Sequence, residues 1–348
     1  MEFCKLTVSG SGLEMGRAFG EACADGIRAL LNTLLQQTFD EKLEMALRFV
    51  PLYERWFPRM LDELRGIAQT LDLTLAEALL LQTRWDLSVA PAGECTSFAC
   101  AAPVTREGRI FAGMNKDVTE TARDQMVLLH MLPDEGPRKL LIGYPGSMAG
   151  PGMNEYGVCM FGNSLYGGRA RSGSIPQPIM HRLVLEQKTA AEAVQVLTAI
   201  HEQGQIGFSG SVTVCDASGD MYCVEMLGDQ VAVVQPEKGF LVHANHLICR
   251  LPSMLELETP GCSGNTFGRG SVMTRWFEDH AGSLDEELLK TILRDHTGGA
   301  FGICRHNGQM PGREPTLTAM SCVAMPAEGR IWFCKGNPCE NPYRLYTV

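Results

Sequence analysis

The spacing of hydrophobic residues changes partway along the chain, and the change divides it. After a short opening strand, apolar residues up to about residue 90 recur three and four positions apart, the period of a helix with one buried face. GLEMGRAFGEACADGIRALLNTLLQQ, PRMLDELRGIAQTLDL and LAEALLLQTRWDLSV all show it. Thr74, just before the last of these, is the expected N-cap. From Cys95 the apolar runs are short and punctuated by Gly, Pro or Asp. TSFACAAPV, REGRIFAGMN, QMVLLHMLP, RKLLIGYPG and GVCMFGNSL read as strands. Helical spacing returns at PIMHRLVLEQ and TAAEAVQVLTAI. SVTVCDASGDMYCVEML, QVAVVQP and GFLVHANH make a second strand set. Residues 267 to 295 are a further helical region, and TLTAMSCVAMPAEGRIWFCKGNP is a closing hairpin.

Strands joined mainly by short turns predict antiparallel sheets, and two sheets with helices on their outer faces give every apolar face a cover. The fold expected is therefore α+β. No internal repeat and no linker interrupts the chain, and VAPAGECTS is the one clear break in character.

Composition excludes several partners. The 348 residues are 45% apolar and 20% charged, with a net charge of −10. A nucleic-acid or anionic-membrane binder needs clustered Lys and Arg, so neither partner is expected. No run of about 18 apolar residues is present to span a bilayer. MEFCKLTVSGSG lacks the basic and apolar regions of a signal peptide, and YRLYTV carries no recognisable address. The thirteen cysteines have irregular spacing and no CxxC pair, which points to free thiols and a cytoplasmic protein.

Three groups of residues invite a chemical reading. GSGLEMG, from Gly10, has the spacing GxGxxxG rather than that of a dinucleotide loop, so its glycines are expected to serve a turn and helix packing. His243, His246 and Cys249 have ligand chemistry but no second pair at matching spacing, so no metal and no organic cofactor is expected. Cys95 remains. A thiol is activated by a histidine, by a helix N-terminus, or by becoming the chain's own N-terminus, where the α-amine takes its proton. The last route requires cleavage between Glu94 and Cys95. An ordinary Cys–His pair using His243, His246 or His306 stays open on residue types alone.

CTSFACAAPVTREGRIFAGMNKD resembles the start of the catalytic chain in the acyl-coenzyme A:6-aminopenicillanic acid acyltransferase family of self-processing N-terminal nucleophile hydrolases. ELRGIAQTLDL, GMNEYGVCMFGNSL, VHANH, ICRH and GNPCENPYRLY have counterparts in the same order, so the resemblance is nearly full length. It implies the Ntn-hydrolase fold, a four-layer αββα sandwich of two antiparallel sheets between helical layers. It also implies a cut at Glu94–Cys95 into a helical pro-segment, 1–94, and a catalytic part, 95–348, which remain bound together.

Residue by residue, the resemblance makes Cys95 the nucleophile and Asp117 the acid that holds its amine. It makes Asn245 the oxyanion donor and Arg305 an arginine beside the nucleophile, able to bind a substrate carboxylate as a fork. Asn163 is a weaker candidate for substrate contact. Families on the same fold cleave bile-salt amides, penicillin V and N-acylethanolamines, so the implied partner is a small acyl amide; a homo-oligomer stays open. Glu94 departs from the pattern, because many relatives have Gly before the nucleophile, and Gly reaches strained backbone more cheaply. That departure supports a second reading: an uncut, silent member acting as a binding or scaffold protein.

Overall fold

Ser11 and Thr74 each start a helix with a reciprocal pair of hydrogen bonds. The Ser11 hydroxyl accepts from the Glu14 amide while the Glu14 carboxylate accepts from the Ser11 amide, and Thr74 and Glu77 repeat the arrangement. Each box satisfies amides that a helix start leaves unpaired. The computed structural model describes residues 1–35, 39–87, 94–167, 173–207, 209–258, 265–308 and 314–348. The stretch of helical spacing from Gly12 turns at Cys23, giving Gly12–Ala22 and Ala24–Leu35. Gln36, Gln37 and residues 89–93 of VAPAGECTS lie outside the described residues.

Gly10 turns the chain with φ +100°, and Gly16 and Gly66 serve packing. A Cβ on Gly16 would lie 2.0 Å from the Glu63 carbonyl oxygen, and one on Gly66 would lie 2.3 Å from that of Leu13. Their absence lets helices Gly12–Ala22 and Pro58–Leu71 touch backbone to backbone.

Among the described residues the strands form two sheets. The larger runs in the order Cys4–Gly10, Val127–Pro133, Lys139–Gly143, Gly152–Asn154, Cys159–Ser164, Gly210–Cys215, Met221–Leu227, Gln230–Val234. The smaller runs Phe240–His243, Glu94–Cys100, Phe111–Val118, Leu317–Met325, Arg330–Lys335, Arg344–Thr347. The expected closing hairpin is Leu317–Met325 with Arg330–Lys335, and the short strand Arg344–Thr347 adds an edge to it. Pairing is antiparallel except at one edge, where Cys4–Gly10 runs parallel to Val127–Pro133.

Three cores separate four layers. Phe19, Leu64 and Leu79 of the N-terminal helices pack on Leu129, Leu141 and Met160 of the larger sheet. The other face of that sheet sends Leu128, Leu140 and Phe161 to meet Cys95, Ala99 and Met114 of the smaller sheet. The outer face of the smaller sheet, with Phe98, Phe111 and Val323, packs on Met273, Phe277 and Leu289. Those last three sit on helices Asn265–Asp279 and Glu286–Leu293, which divide the region read as one from 267 to 295. The order is αββα. No helix among the described residues is long and apolar enough to cross a membrane.

Candidate functional site

Strand Glu94–Cys100 is buried along its whole length, so its period of two decides which chemistry goes where. Cys95 and Ala99 face the space between the sheets, whereas Phe98 and Cys100 face the outer helices. Glu94 shares the parity of Phe98 and also faces the helices. The neighbouring strand is in register, with Glu94 opposite Asp117 and Cys95 opposite Lys116. Asp117 therefore joins Glu94 on the helix side, and Lys116 joins Cys95 between the sheets.

On the helix side four charges are buried together. Arg269 is 1% exposed, Glu94 2%, and Arg305 and Asp117 not at all, so none of them can rely on water. The Glu94 carboxylate accepts from Arg269 at 3.0 Å and from Nη2 of Arg305. Arg305 gives its other terminal nitrogen to the Thr316 hydroxyl at 2.7 Å, and its Nε lies 3.8 Å from the Asp117 carboxylate. Thr318 donates to Asp117 at 2.8 Å. Burial pushes the Asp117 carboxyl above the usual carboxylate range, against the pull of Arg305 and Arg269. A buried cluster of this kind holds only while every member keeps its partners.

Arg269 ties this cluster to the main chain at Cys95. It donates to the Cys95 carbonyl at 2.6 Å, to the Thr96 hydroxyl at 2.7 Å and to Asn245 Oδ1 at 2.8 Å. The same Asn245 oxygen accepts from the Cys95 backbone amide at 3.0 Å, and Asn245 Nδ2 donates to the Ser164 carbonyl at 2.8 Å. Asn245 sits just past strand Phe240–His243 on a segment fixed by Glu225. The Glu225 carboxylate contacts His243 Nε2 at 2.9 Å and accepts from the Ile248 and Cys249 amides at 2.7 and 2.8 Å. Burial alone would raise the Glu225 carboxyl, but the His243 ring and the two amides hold it below the usual range.

Between the sheets Cys95 lines a cleft. Its walls include Trp85, Lys116, Tyr144, Asn163 and His181. Asn163 accepts from Ser97 at 2.7 Å and donates to the His243 carbonyl at 3.4 Å. Burial pushes the Cys95 thiol up, opposed by the Lys116 cation, so in the uncut chain it rests protonated. Burial works against the Lys116 ammonium as well, but Tyr144, Cys95 and Asp117 outweigh it and leave Lys116 above the ordinary lysine value.

The residues singled out from the sequence thus meet. Cys95, Asp117, Asn245 and Arg305 converge around the Glu94–Cys95 bond, and Asn163 lines the cleft. Asp117 and Arg305 are on the helix side of the strand, away from the Cys95 thiol. The Arg305 fork is closed on Glu94 and Thr316. The histidines considered as bases have other partners: His243 has Glu225, His246 has the Thr266 hydroxyl at 2.9 Å, and His306 has Cys304 and Cys339. Glu94 lies in a regular paired strand and is not among the residues with positive φ. Sequence reading missed Arg269 and Glu225. The buried face of helix Asn265–Asp279 carries Thr266, Arg269, Met273 and Phe277, so an arginine within an apolar stripe was the available signal.

The profile of the acyl-coenzyme A:6-aminopenicillanic acid acyl-transferase family matches residues 104–340. The acyl-coenzyme A:6-aminopenicillanic-acid-acyltransferase 40 kDa form of Emericella nidulans is 26% identical over 329 residues, covering 90% of this chain and 87% of its own. Among solved structures, a variant of the conjugated bile acid hydrolase from Clostridium perfringens is 15% identical, with a TM-score of 0.48, over 73% of this chain and 97% of its own. Penicillin V acylase from Agrobacterium tumefaciens is 14% identical, with a TM-score of 0.48, over 69% of this chain and 83% of its own.

Proposed function

The chain belongs to the acyl-coenzyme A:6-aminopenicillanic acid acyl-transferase family, and from that premise we propose that it is a self-processing enzyme acting on a linear amide bond through Cys95. One observation carries the reading. The Glu94–Cys95 peptide bond lies where Asp117, Asn245 and Arg305 converge, at the wall of a cleft lined by Cys95 itself.

The proposed cut is an N-to-S acyl shift followed by hydrolysis. The Cys95 sulfur attacks the Glu94 carbonyl carbon, the C–N bond breaks, and the Cys95 nitrogen takes up the thiol proton. Water then hydrolyses the Glu94 thioester, releasing the Glu94 carboxylic acid and the free thiol. Residues 1–94 and 95–348 stay associated. The new α-amine has a pKa near 8, far better suited to take a thiol proton than the amide it replaces. Asn245 Oδ1, 3.0 Å from that nitrogen before the cut, is placed to orient it, and buried Asp117 supports its positive form.

Turnover repeats the chemistry on a substrate. The thiolate attacks the amide carbonyl, the α-ammonium returns the proton to the leaving amine, and the thioester passes its acyl group to water. Asn245 gives one N–H to Ser164 and has a second for the tetrahedral oxygen, a contribution of roughly 3–4 kcal/mol for one donor. Arg305 steadies Glu94 before the cut and lies on the helix side of the strand, outside the cleft lining. Asn163, Lys116 and His181 supply polar groups along a wall that also carries Trp85, Tyr144 and Pro178. The substrate class is a small acyl amide, as the names of the relatives suggest. Hydrolysis is favoured over transfer because it requires no second amine pocket.

One observation favours an uncut, silent binding or scaffold protein instead: two arginines hold Glu94 in an ordinary paired strand. The denatured mass of the purified protein beside Cys95→Ala separates the readings. Fragments 1–94 and 95–348 in the wild type, with one chain in the variant, support processing. One chain in both proteins removes the N-terminal thiol mechanism.

A further inference from the structure

Away from the cleft, four side chains with metal-ligating atoms crowd together at the loop that carries Arg305. One ligand atom from each of His296, Cys304, His306 and Cys339 lies within 4.8 Å of all the others. Individual spacings are tighter. Cys304 Sγ and Cys339 Sγ are 3.5 Å apart, and His296 Nε2 and His306 Nε2 are 3.1 Å apart. His306 Nε2 lies 3.6 Å from Cys304 Sγ and 3.2 Å from Cys339 Sγ. In tetrahedral zinc coordination, the usual Zn–S and Zn–N bond lengths give ligand-to-ligand edges of about 3.8 Å for S–S, about 3.5 Å for S–N and about 3.3 Å for N–N. The four spacings above match those edges to within a few tenths of an ångström, and the two remaining edges, from His296 to the sulfurs, lie within 4.8 Å.

We propose that His296, Cys304, His306 and Cys339 form a structural zinc site that fastens the Arg305 loop to the turn at Asn337–Glu340. Two thiolates and two imidazoles suit a borderline-soft ion, and the four include no oxygen ligand of the kind calcium and magnesium require. Four protein ligands close the coordination shell, which marks a structural rather than a catalytic ion.

The surroundings fit a metal's outer shell. Asn337 Nδ2 donates to Cys304 Sγ at 3.5 Å, as it would to a coordinated thiolate. The Glu340 carboxylate faces His306 Nδ1 at 3.6 Å, on the ring nitrogen turned away from the cluster. Such partners orient the ligands of a metal site. Binding takes up neutral imidazoles and thiolates, and the two thiol protons leave to solvent.

The position gives the site its consequence. Cys304 and His306 flank Arg305, whose carbonyl accepts from Asn337 at 2.6 Å and whose guanidinium reaches Glu94. Zinc would tie together both neighbours of that arginine, the preceding turn through His296 and the C-terminal turn through Cys339.

The test is elemental analysis of the full-length protein expressed with supplementary zinc, beside Cys339→Ser, His296→Ala, Cys95→Ala and Cys4→Ser. About one zinc per chain is expected in the wild type, in Cys4→Ser and in Cys95→Ala, with a loss of at least about tenfold in the two ligand variants. Retention in Cys95→Ala keeps this result separate from the outcome for processing. Because a ligand variant can fail to fold, chelated wild type is also reloaded with cobalt(II), and the visible bands of tetrahedral thiolate coordination are expected. Wild type that carries no zinc, and after chelation neither takes up cobalt nor competes with a chromophoric chelator for added zinc, overturns the proposal. So does a Cys304–Cys339 disulfide in protein purified under reducing conditions.

Discussion

Replacing Arg269 with Met removes four donor contacts of 3.0 Å or less while keeping most of the side chain's length. The Glu94 carboxylate keeps Arg305, so it is not wholly stranded. Breaking a buried ion pair by removing one partner costs about 3–5 kcal/mol, and the remaining arginine puts this case near about 3 kcal/mol. The measurement belongs in a Cys95→Ala background, where the chain is expected to stay whole and unfolding is unimolecular. Urea midpoints for Arg269→Met, Glu94→Gln and the pair complete a double-mutant cycle. A coupling of about 1–3 kcal/mol is expected, because Gln at 94 leaves a neutral side chain that needs the cation less. A loss below about 1 kcal/mol for Arg269→Met, or additive effects in the cycle, would refute the claim that this arginine holds the Glu94–Cys95 junction in place.

Two further outcomes follow from the same geometry. Asn245→Ala should lower kcat by about 10²–10³-fold if its amide serves the oxyanion, and a change confined to KM would assign it to substrate binding. Glu225→Gln should destabilise the fold at pH 7 by about 2–3 kcal/mol, because a charged acceptor of three contacts is lost. The Glu225 carboxyl is depressed in the folded state, so its contribution is present above the ordinary glutamate value of about 4.3 and fades as pH falls through the folded value. The wild type and the variant should therefore converge in acid, and urea midpoints at neutral and acidic pH check this.

The passage from helices to strands at Glu94 was legible because the hydrophobic period changes there. Capping at Thr74 was legible because its box is local. The ion pairs of Glu94 were out of reach of the sequence, since its partners lie 175 and 211 residues further on and only folding brings them near. The parallel edge strand escaped for the same reason, with Cys4 pairing Val127 across all of the N-terminal helices and two strands of the smaller sheet. The four-residue His and Cys cluster comes from three separate segments without a CxxC pair, so a search by ligand spacing passed over it. His243 has ligand chemistry, yet its ring is committed to Glu225 and Ser211.

The strand Cys4–Gly10 is woven into the larger sheet beside Val127–Pro133, on the far side of the proposed cut. A nicked molecule would therefore migrate as one particle under native conditions, and only a denaturant would reveal two pieces. Its first folding is intramolecular, with the pro-segment tethered at an effective concentration set by chain length. Recovery after denaturation is a bimolecular search that depends on dilution. Heating would then be nearly irreversible for the mature form and reversible for Cys95→Ala. The durability of such an enzyme would rest on how slowly it unfolds rather than on the depth of its equilibrium.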